Sequence, residues 1–242
     1  MGRETNSERN RGGRPRAGQE ALSRGRILDV ALRLVDEEGM GALSMRRLGA
    51  ELGVNPMSIY HHVTGKDAVI SGLVELVFSG MRVRYPDGSH WQARVRAWAQ
   101  DYRDLVRSHP HLVFEIVSSA AAVTETVLLV NEPLYAALDE AGLPPAEVVQ
   151  AADSVVDFIH GFALAEGAQP PERPFDRREL LERLEAGAAD GLPATSHVFR
   201  ALTREESRYD FDRGFDAGLG ILLKGIEVSV SVDAAHFGED PL

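Results

Sequence analysis

Cysteine is absent from the 242-residue sequence, so neither a disulfide framework nor a thiolate metal site is available to it. No run approaches the ~18 consecutive apolar residues of a membrane span, and no hydrophobic segment follows the charged N-terminus as a secretory signal requires. These absences lead to the expectation of a soluble, cytoplasmic protein with no membrane partner. Lysine is scarce beside arginine, whereas Ala and Gly are frequent, as in proteins from GC-rich bacterial genomes. Positive charge is also short overall: the formal net charge is −11, which by itself argues against a polyanionic partner. The deficit is not uniform. Residues 1–66 hold 11 Arg or Lys against 8 Asp or Glu, a net +3, which leaves −14 on the remaining 176 residues. A basic N-terminal segment on an acidic body suits a DNA-reading head whose body phosphate repels, favouring end-on docking.

The stretch from Leu43 to Lys66, LSMRRLGAELGVNPMSIYHHVTGK, carries the sharpest signal. Ser44 is placed to cap a helix whose apolar Leu48 and Leu52, four apart, share one face, and Gly53 supplies the left-handed residue that ends it. Asn55 then caps a second helix with Pro56 at its first position, where the missing N–H costs nothing. At 100° per residue Ile59 and Val63 turn inward with Val54, while Met57 and His61 point the opposite way, flanked by Ser58 and Tyr60. A solvated helix favours Lys and Glu on that face and a buried one favours aliphatics; a hydroxyl, a phenol, imidazoles and a thioether suit neither. Two helices around a short Gly turn, the second presenting polar side chains, form the helix-turn-helix that inserts its second helix into the DNA major groove.

Leu43, Arg46, Leu48, Leu52, Gly53, Val54, the run Ser58-Ile59-Tyr60-His61-His62-Val63 and Lys66 resemble the operator-binding segment of the tetracycline-repressor (TetR) family. The shared pattern is a Gly-Val turn, a hydroxyl residue two before an aromatic, and a Lys opening the next helix. The resemblance covers residues 24–70 closely and the rest of the chain weakly. It implies that Ser44 and Arg46 touch phosphate or a flanking base, that Pro56, Met57, Ser58, His61 and His62 face base edges, and that Tyr60 and Lys66 meet the backbone. Met57 and His61 are uncommon base readers, so the operator sequence does not follow.

The flanking chain reads as all-α. Residues 1–22, rich in Gly, Arg and Glu, form a disordered basic arm: either a solvated tail or, through Arg11-Gly12-Gly13-Arg14-Pro15-Arg16, a minor-groove contact like the Gly-Arg-Pro core of AT-hook segments. Ser23 caps a supporting helix with Ile27, Val30, Ala31, Leu34 and Val35 at helical spacing, completing a three-helix DNA-binding domain over 23–66. Residues 67–242 form a larger effector-binding and dimerisation domain, opened by a connector helix over 67–81 that Thr64 caps. Past the turn cluster Tyr85-Pro86-Asp87-Gly88-Ser89, a helix carries Trp91, Val95, Trp98, Tyr102 and Leu105, a stripe that serves as plain core or as a ligand wall. His109-Pro110-His111 closes it; capping, pocket lining and, without a third ligand nearby, metal binding are the options.

A helix over 122–141 is expected to bury Val127, Leu128, Val130, Leu134 and Leu138, and Gly142 ends it. Residues 145–166 form an increasingly apolar helix in which Gly161 and Ala163 permit close approach. A loop over 167–175, an amphipathic acidic–basic helix near Arg177 to Ala186 and a flexible stretch near 187–193 follow. Glycines recur through the final helix, 211–232, at up to ~1 kcal/mol each in an isolated helix; close packing explains them.

The run from Phe211 to Leu219, with Leu222-Leu223-Lys224-Gly225-Ile226-Glu227, resembles the last helix of the tetracycline-repressor-type C-terminal domain. That resemblance implies pairing with the 145–166 helix and both symmetry mates in a four-helix dimer interface, placing His160, Gly161, Leu164, Phe215, Leu219, Leu222 and Ile226 there; an ordinary buried terminal helix is the other reading.

The expected function is a homodimeric, ligand-responsive transcriptional repressor that leaves a palindromic double-stranded operator when a small-molecule effector binds. The effector pocket is expected inside the body, with Trp98, Tyr102, His109, Phe114, Phe158 and Phe162 as candidates; apolar walls with few polar groups point to a mostly hydrophobic, aromatic or polyketide-like molecule. The magnesium-chelating residues of the tetracycline sensor find no one-to-one match, so no metal or cofactor is expected. A DNA-binding activator or an architectural protein without effector shares most of these features. An enzyme is the distant rival, but no nucleophile elbow, phosphate loop or zinc-helix motif is present.

Overall fold

The computed structural model describes residues 21–113, 125–167 and 209–236, the last six by backbone alone, with isolated positions between 179 and 198. Among the described residues there is no strand. The helices are α1 (Arg24–Glu38), a 3₁₀ turn (Met40–Ala42), α2 (Met45–Leu52), α3 (Pro56–Ile59), α4 (Lys66–Phe78), α5 (Trp91–Ser108), α6 (Glu125–Glu140), α7 (Pro145–Gly167) and α8 (Phe211–His236). All but Ala21 and Leu22 of the expected arm lie outside the described residues, as do Phe114 and most of the segment expected as an acidic–basic helix.

Local chemistry sets the head. Ser23 Oγ accepts from the Arg26 amide at 3.2 Å, Ser44 Oγ from Arg47 at 3.2 Å and Asn55 Oδ1 from Met57 at 2.9 Å, which caps α1, α2 and α3 in turn. Each such cap is worth about 1 kcal/mol. Gly53, at φ 68°, closes α2 in the left-handed conformation. The expected Thr64 cap is not made: Gly65 precedes α4 without a side-chain bond, and Asp67 in the first turn faces the helix dipole instead. Ile27, Leu28, Ala31, Leu34 and Val35 of α1 close over Leu48, Leu52, Ile59 and Val63, with Val69 and Leu73 of α4 beneath. Gly72 lets α4 approach α1, since a Cβ there would stand 2.7 Å from Leu28.

The connector ends at Phe78 rather than near residue 81. A bend and the Pro86–Ser89 turn lead into α5, which packs on both α6 and α7. Trp91, Val95, Trp98, Tyr102 and Leu105 are all buried, as their spacing predicts. In α6 the expectation fails at Leu128, which is 61% exposed while Val127, Leu134, Ala137 and Leu138 are buried. Neighbouring Leu128 and Val127 cannot share one face of a helix, and the α5–α7 side takes Val127. Pro133 sits inside α6 and has no N–H, so the Leu129 carbonyl loses its intrahelical donor.

Helix α7, the increasingly apolar segment of the sequence, is long and apolar enough, by length and composition alone, to cross a membrane. It packs against α5, α6 and α8, burying Val148, Ala152, Val155 and Ile159. Gly218 of α8 accounts for one of the predicted close approaches: a Cβ there would lie 2.8 Å from the Phe158 ring of α7. Within the protomer, a Cβ on Gly161 would meet nothing within 4 Å.

Candidate DNA-reading surface and body cavities

Gly49 holds the helix-turn-helix together at its tightest point. A Cβ on it would stand 3.0 Å from both Pro56 Cγ and the Val54 carbonyl oxygen, so α2 and α3 meet there with no room for a side chain. Helix α3 spans only Pro56–Ile59, but Tyr60 keeps right-handed helical angles and the His62 and Val63 amides both donate to the Ile59 carbonyl, at 2.9 and 3.0 Å. One further turn thus carries the reading side chains. Ile59 and Val63 are buried, while Ser44, Arg46, Met57, Tyr60, His61, His62 and Lys66 are exposed on one contiguous segment. Met57 is 66% exposed, a large apolar side chain held in solvent. Ser58 is half-buried. So is Pro56, whose ring lies against Gly49, so its contribution to an outward surface is smaller than expected.

Of the six residues expected around an effector, Phe114 lies outside the described residues, and the other five do not line one common cavity among those described. Trp98 is fully buried, stacked on Tyr102 with centroids 4.9 Å apart, and its indole N–H donates to the Val130 carbonyl at 2.8 Å, next to the carbonyl that Pro133 frees. Tyr102 Oη lies 2.7 Å from His160 Nε2, and its ring meets Phe78 of α4 at 5.9 Å. Burial raises the Tyr102 phenol well above the usual tyrosine range. Burial also lowers His160, with nearby Asp157 partly opposing it, so the pair is a neutral phenol against a neutral imidazole. Phe158 and Phe162 form a second cluster with Phe215, at 5.4 Å each, and Phe162 also meets Phe211. They wall a cavity of about 610 Å³ with Asp157, Tyr209 and Phe211. His109 lies apart, its Nδ1 3.0 Å from both carboxylate oxygens of Asp36 in α1, and it borders a separate cavity of about 400 Å³ with Met81, Arg82, Asp101 and Asp104. Burial, with Asp104 adding to it and Arg84 opposing, raises the Asp101 carboxyl.

The residues expected to pair two copies differ in how much surface they leave on the protomer. His160 is half-buried, with Nε2 2.7 Å from Tyr102 Oη, whereas Phe215 and Leu219 are buried within their own protomer. Helix α8 uses that stripe to seat itself on α7. The free apolar side is carried by Leu164, 66% exposed, and Ile221, 74% exposed, with Val149 and Val228. Leu222 and Ile226 line a groove of about 720 Å³ between α7 and α8, and Gly161 opens onto the Phe158 cavity.

One cluster escaped the sequence reading. Arg103 is 1% exposed, donates to Glu166 of α7 at 3.1–3.3 Å and pairs with Asp212 of α8 at 2.9 Å; its guanidinium lies 4.6 Å from the Phe215 centroid and 5.3 Å from that of Phe162. A basic residue falling within the width of an aromatic stripe was the available signal.

A three-helix head with an exposed second helix of the motif, set on a larger helical body, defines a helix-turn-helix DNA-binding regulator. The family described as "Bacterial regulatory proteins, tetR family" matches residues 27–73, and "Tetracyclin repressor-like, C-terminal domain" matches residues 85–230. The chain belongs to the TetR family of transcriptional regulators, which are not enzymes. It is similar to an HTH-type transcriptional regulator of Saccharopolyspora erythraea, 29% identical over 88% of this chain and 87% of that one. It is also similar to the HTH-type transcriptional repressor DrrR1 of Streptomyces coeruleorubidus, 28% identical over 91% and 83%. Among solved structures, the TetR family protein ActR of Streptomyces coelicolor in complex with (S)-DNPA superposes with a TM-score of 0.71 at 25% identity, covering 86% of this chain and 98% of that one.

Proposed function

We propose that this chain is a homodimeric repressor that grips a twofold-related operator and lets go when a mostly hydrophobic, aromatic small molecule enters its body. The observation that carries the reading is continuity. The exposed reading segment runs directly into α4, and Phe78 at the far end of α4 touches Tyr102, which stacks on Trp98 and bonds His160. A ligand seated on the α7 residues that flank His160, namely Phe158, Gly161 and Phe162, acts through His160 and those rings on the helix carrying the head, and by linkage it binds less well to the DNA-bound dimer.

Two heads would address half-sites ~34–36 Å apart, with Met57, Ser58, His61 and His62 toward base edges and Ser44, Arg46, Tyr60 and Lys66 toward phosphate. Partner surface would come from Leu164, Ile221, Leu222 and Val228. The effector would lie against Phe158, Phe162 and Phe211, whose cavity of about 610 Å³ is the size of an ordinary small-molecule site. ActR carrying (S)-DNPA and the repressor designation of DrrR1 support both halves.

The test is to select DNA with the full chain from a random pool and from its gene's upstream region, then titrate aromatic compounds into the complex. Selection of a palindrome and its release by at least one compound are expected; a chain that selects no sequence, or holds one through every compound while binding that compound, is not this kind of repressor. His61→Ala should change base preference, whereas Lys66→Ala should weaken all sequences alike and reduce the salt slope by about 1.

A further inference from the structure

Helix α4 is not the only link between the DNA-reading head and the body. Asp36 lies in the last turn of α1, and His109, the residue that ends α5, places Nδ1 3.0 Å from each of its carboxylate oxygens. The bond needs only a hydrogen on Nδ1, which both the imidazolium and one neutral tautomer provide. Three residues further along α1, the His111 ring lies 3.8–3.9 Å from where a Cβ on Gly39 would stand. The His109-Pro110-His111 corner of the body therefore bonds the C-terminal end of α1 at Asp36 and lies beside its Gly39 cap.

That end of α1 is poorly made when taken alone. Asp36, Glu37 and Glu38 crowd the terminus where the helix dipole is already negative, and no basic residue of α1 shares its last turn. Glu38 is met by Arg47 of α2 at 2.7 Å, and Asp36 is met by His109. A carboxylate that is unfavourable for its own helix makes sense if its bond to another part of the chain is worth more.

We propose that His109 and Asp36 form a latch that fixes the orientation of the head on the body, and that both are positioning residues for operator binding. α4 joins head to body and packs on both α1 and α6; a second attachment, from α5 to the C-terminal end of α1, removes rotation about α4 that this packing alone would permit. Two heads held at fixed angles reach successive major grooves without losing that freedom on binding. The cavity bordered by His109, Met81 and Arg82 lies between the end of α4 and α5. The inference rests on the operator-binding reading above.

The sign of the test separates the latch from simpler effects. Asp36→Ala removes a negative charge from the head, which by electrostatics alone tightens DNA binding, and it relieves α1 of a misplaced acid, which by itself stabilises the helix. Loss of the latch predicts the opposite. With the duplex that the unaltered full-length chain selects from a random pool, Asp36→Ala and His109→Ala should each weaken binding about fivefold or more. The double variant should be no weaker than the weaker single, because both remove one interaction. The slope of affinity against salt should stay unchanged, since no phosphate contact is lost. Unchanged or tighter binding by Asp36→Ala, or additive losses in the double variant, overturns the proposal. Should His109→Ala fail to fold, Asp36→Ala against His109→Leu supplies the same cycle. Failure of the unaltered chain to select any duplex would instead strike the operator reading itself.

Discussion

Arg103 is buried and His160 half-buried, and the two fail differently. Arg103 meets two carboxylates and two aromatic faces from α7 and α8, so its removal leaves Glu166 without its main partner in a half-closed site. Breaking a buried ion pair from one side costs about 3–5 kcal/mol, and because Asp212 is exposed the lower figure applies. Arg103→Ala should therefore lower the denaturation free energy by about 3 kcal/mol; a loss below about 1 kcal/mol in a urea titration would show that the cluster is ornamental.

His160 gives a pH signature. Burial lowers its folded-state pKa below the 6.5 of the free side chain, so the unfolded chain takes up the proton first as pH falls. The stability attached to neutral His160 is complete above about pH 6.5 and drains as pH falls through the lowered folded value. Melting curves at stepwise lower pH should show the drop, and His160→Gln should flatten it. An unchanged slope in the variant would assign the acid sensitivity to the carboxylates instead.

At the scale of elements, the head was the most legible part, because its determinants act within three or four residues. Ser23, Ser44, Asn55 and Gly53 each stand where their capping chemistry predicts, and each bonds or turns as expected. Thr64 shows the limit of that rule: a hydroxyl one residue too early yields to Gly65, since the turn after Val63 sets where α4 begins. The body was legible as helices but less so as faces. Phe215 and Leu219 recur at the right period, yet periodicity identifies an apolar stripe without saying whether its cover is the same chain or a second copy. The Arg103 cluster was invisible for a related reason, since its partners lie 63 and 109 positions away in sequence and no local spacing connects them.

The α7–α8 contact gives the element-scale prediction. Gly218→Ala places a methyl against the Phe158 ring and should cost about 1–3 kcal/mol by overpacking. Phe158→Leu in the same chain should recover part of it. Two independent, additive losses in a thermal double-mutant cycle would mean that the helices do not meet at this point.

For the whole molecule, charge and apolar surface are divided by role. The net +3 of residues 1–66 against −14 elsewhere keeps the body away from phosphate, while Leu164, Ile221 and Val228 leave an apolar face that a lone protomer does not cover. Ile221→Glu should shift the chain toward monomer in sedimentation. Operator affinity should fall with it, because the second head then loses the effective concentration that pairing supplies. A stable dimer carrying Ile221→Glu would place the pairing surface elsewhere.

Both tryptophans, Trp91 and Trp98, belong to α5, and the head has none. Trp98, stacked on Tyr102 and bonded to Val130, is a fluorophore sealed inside the body, so tryptophan emission will follow the body's interior and stay silent when the head alone melts. Circular dichroism counts the helices of both. A melt followed by the two signals at once therefore times the loss of the DNA reader against the loss of its housing, with no label attached to either.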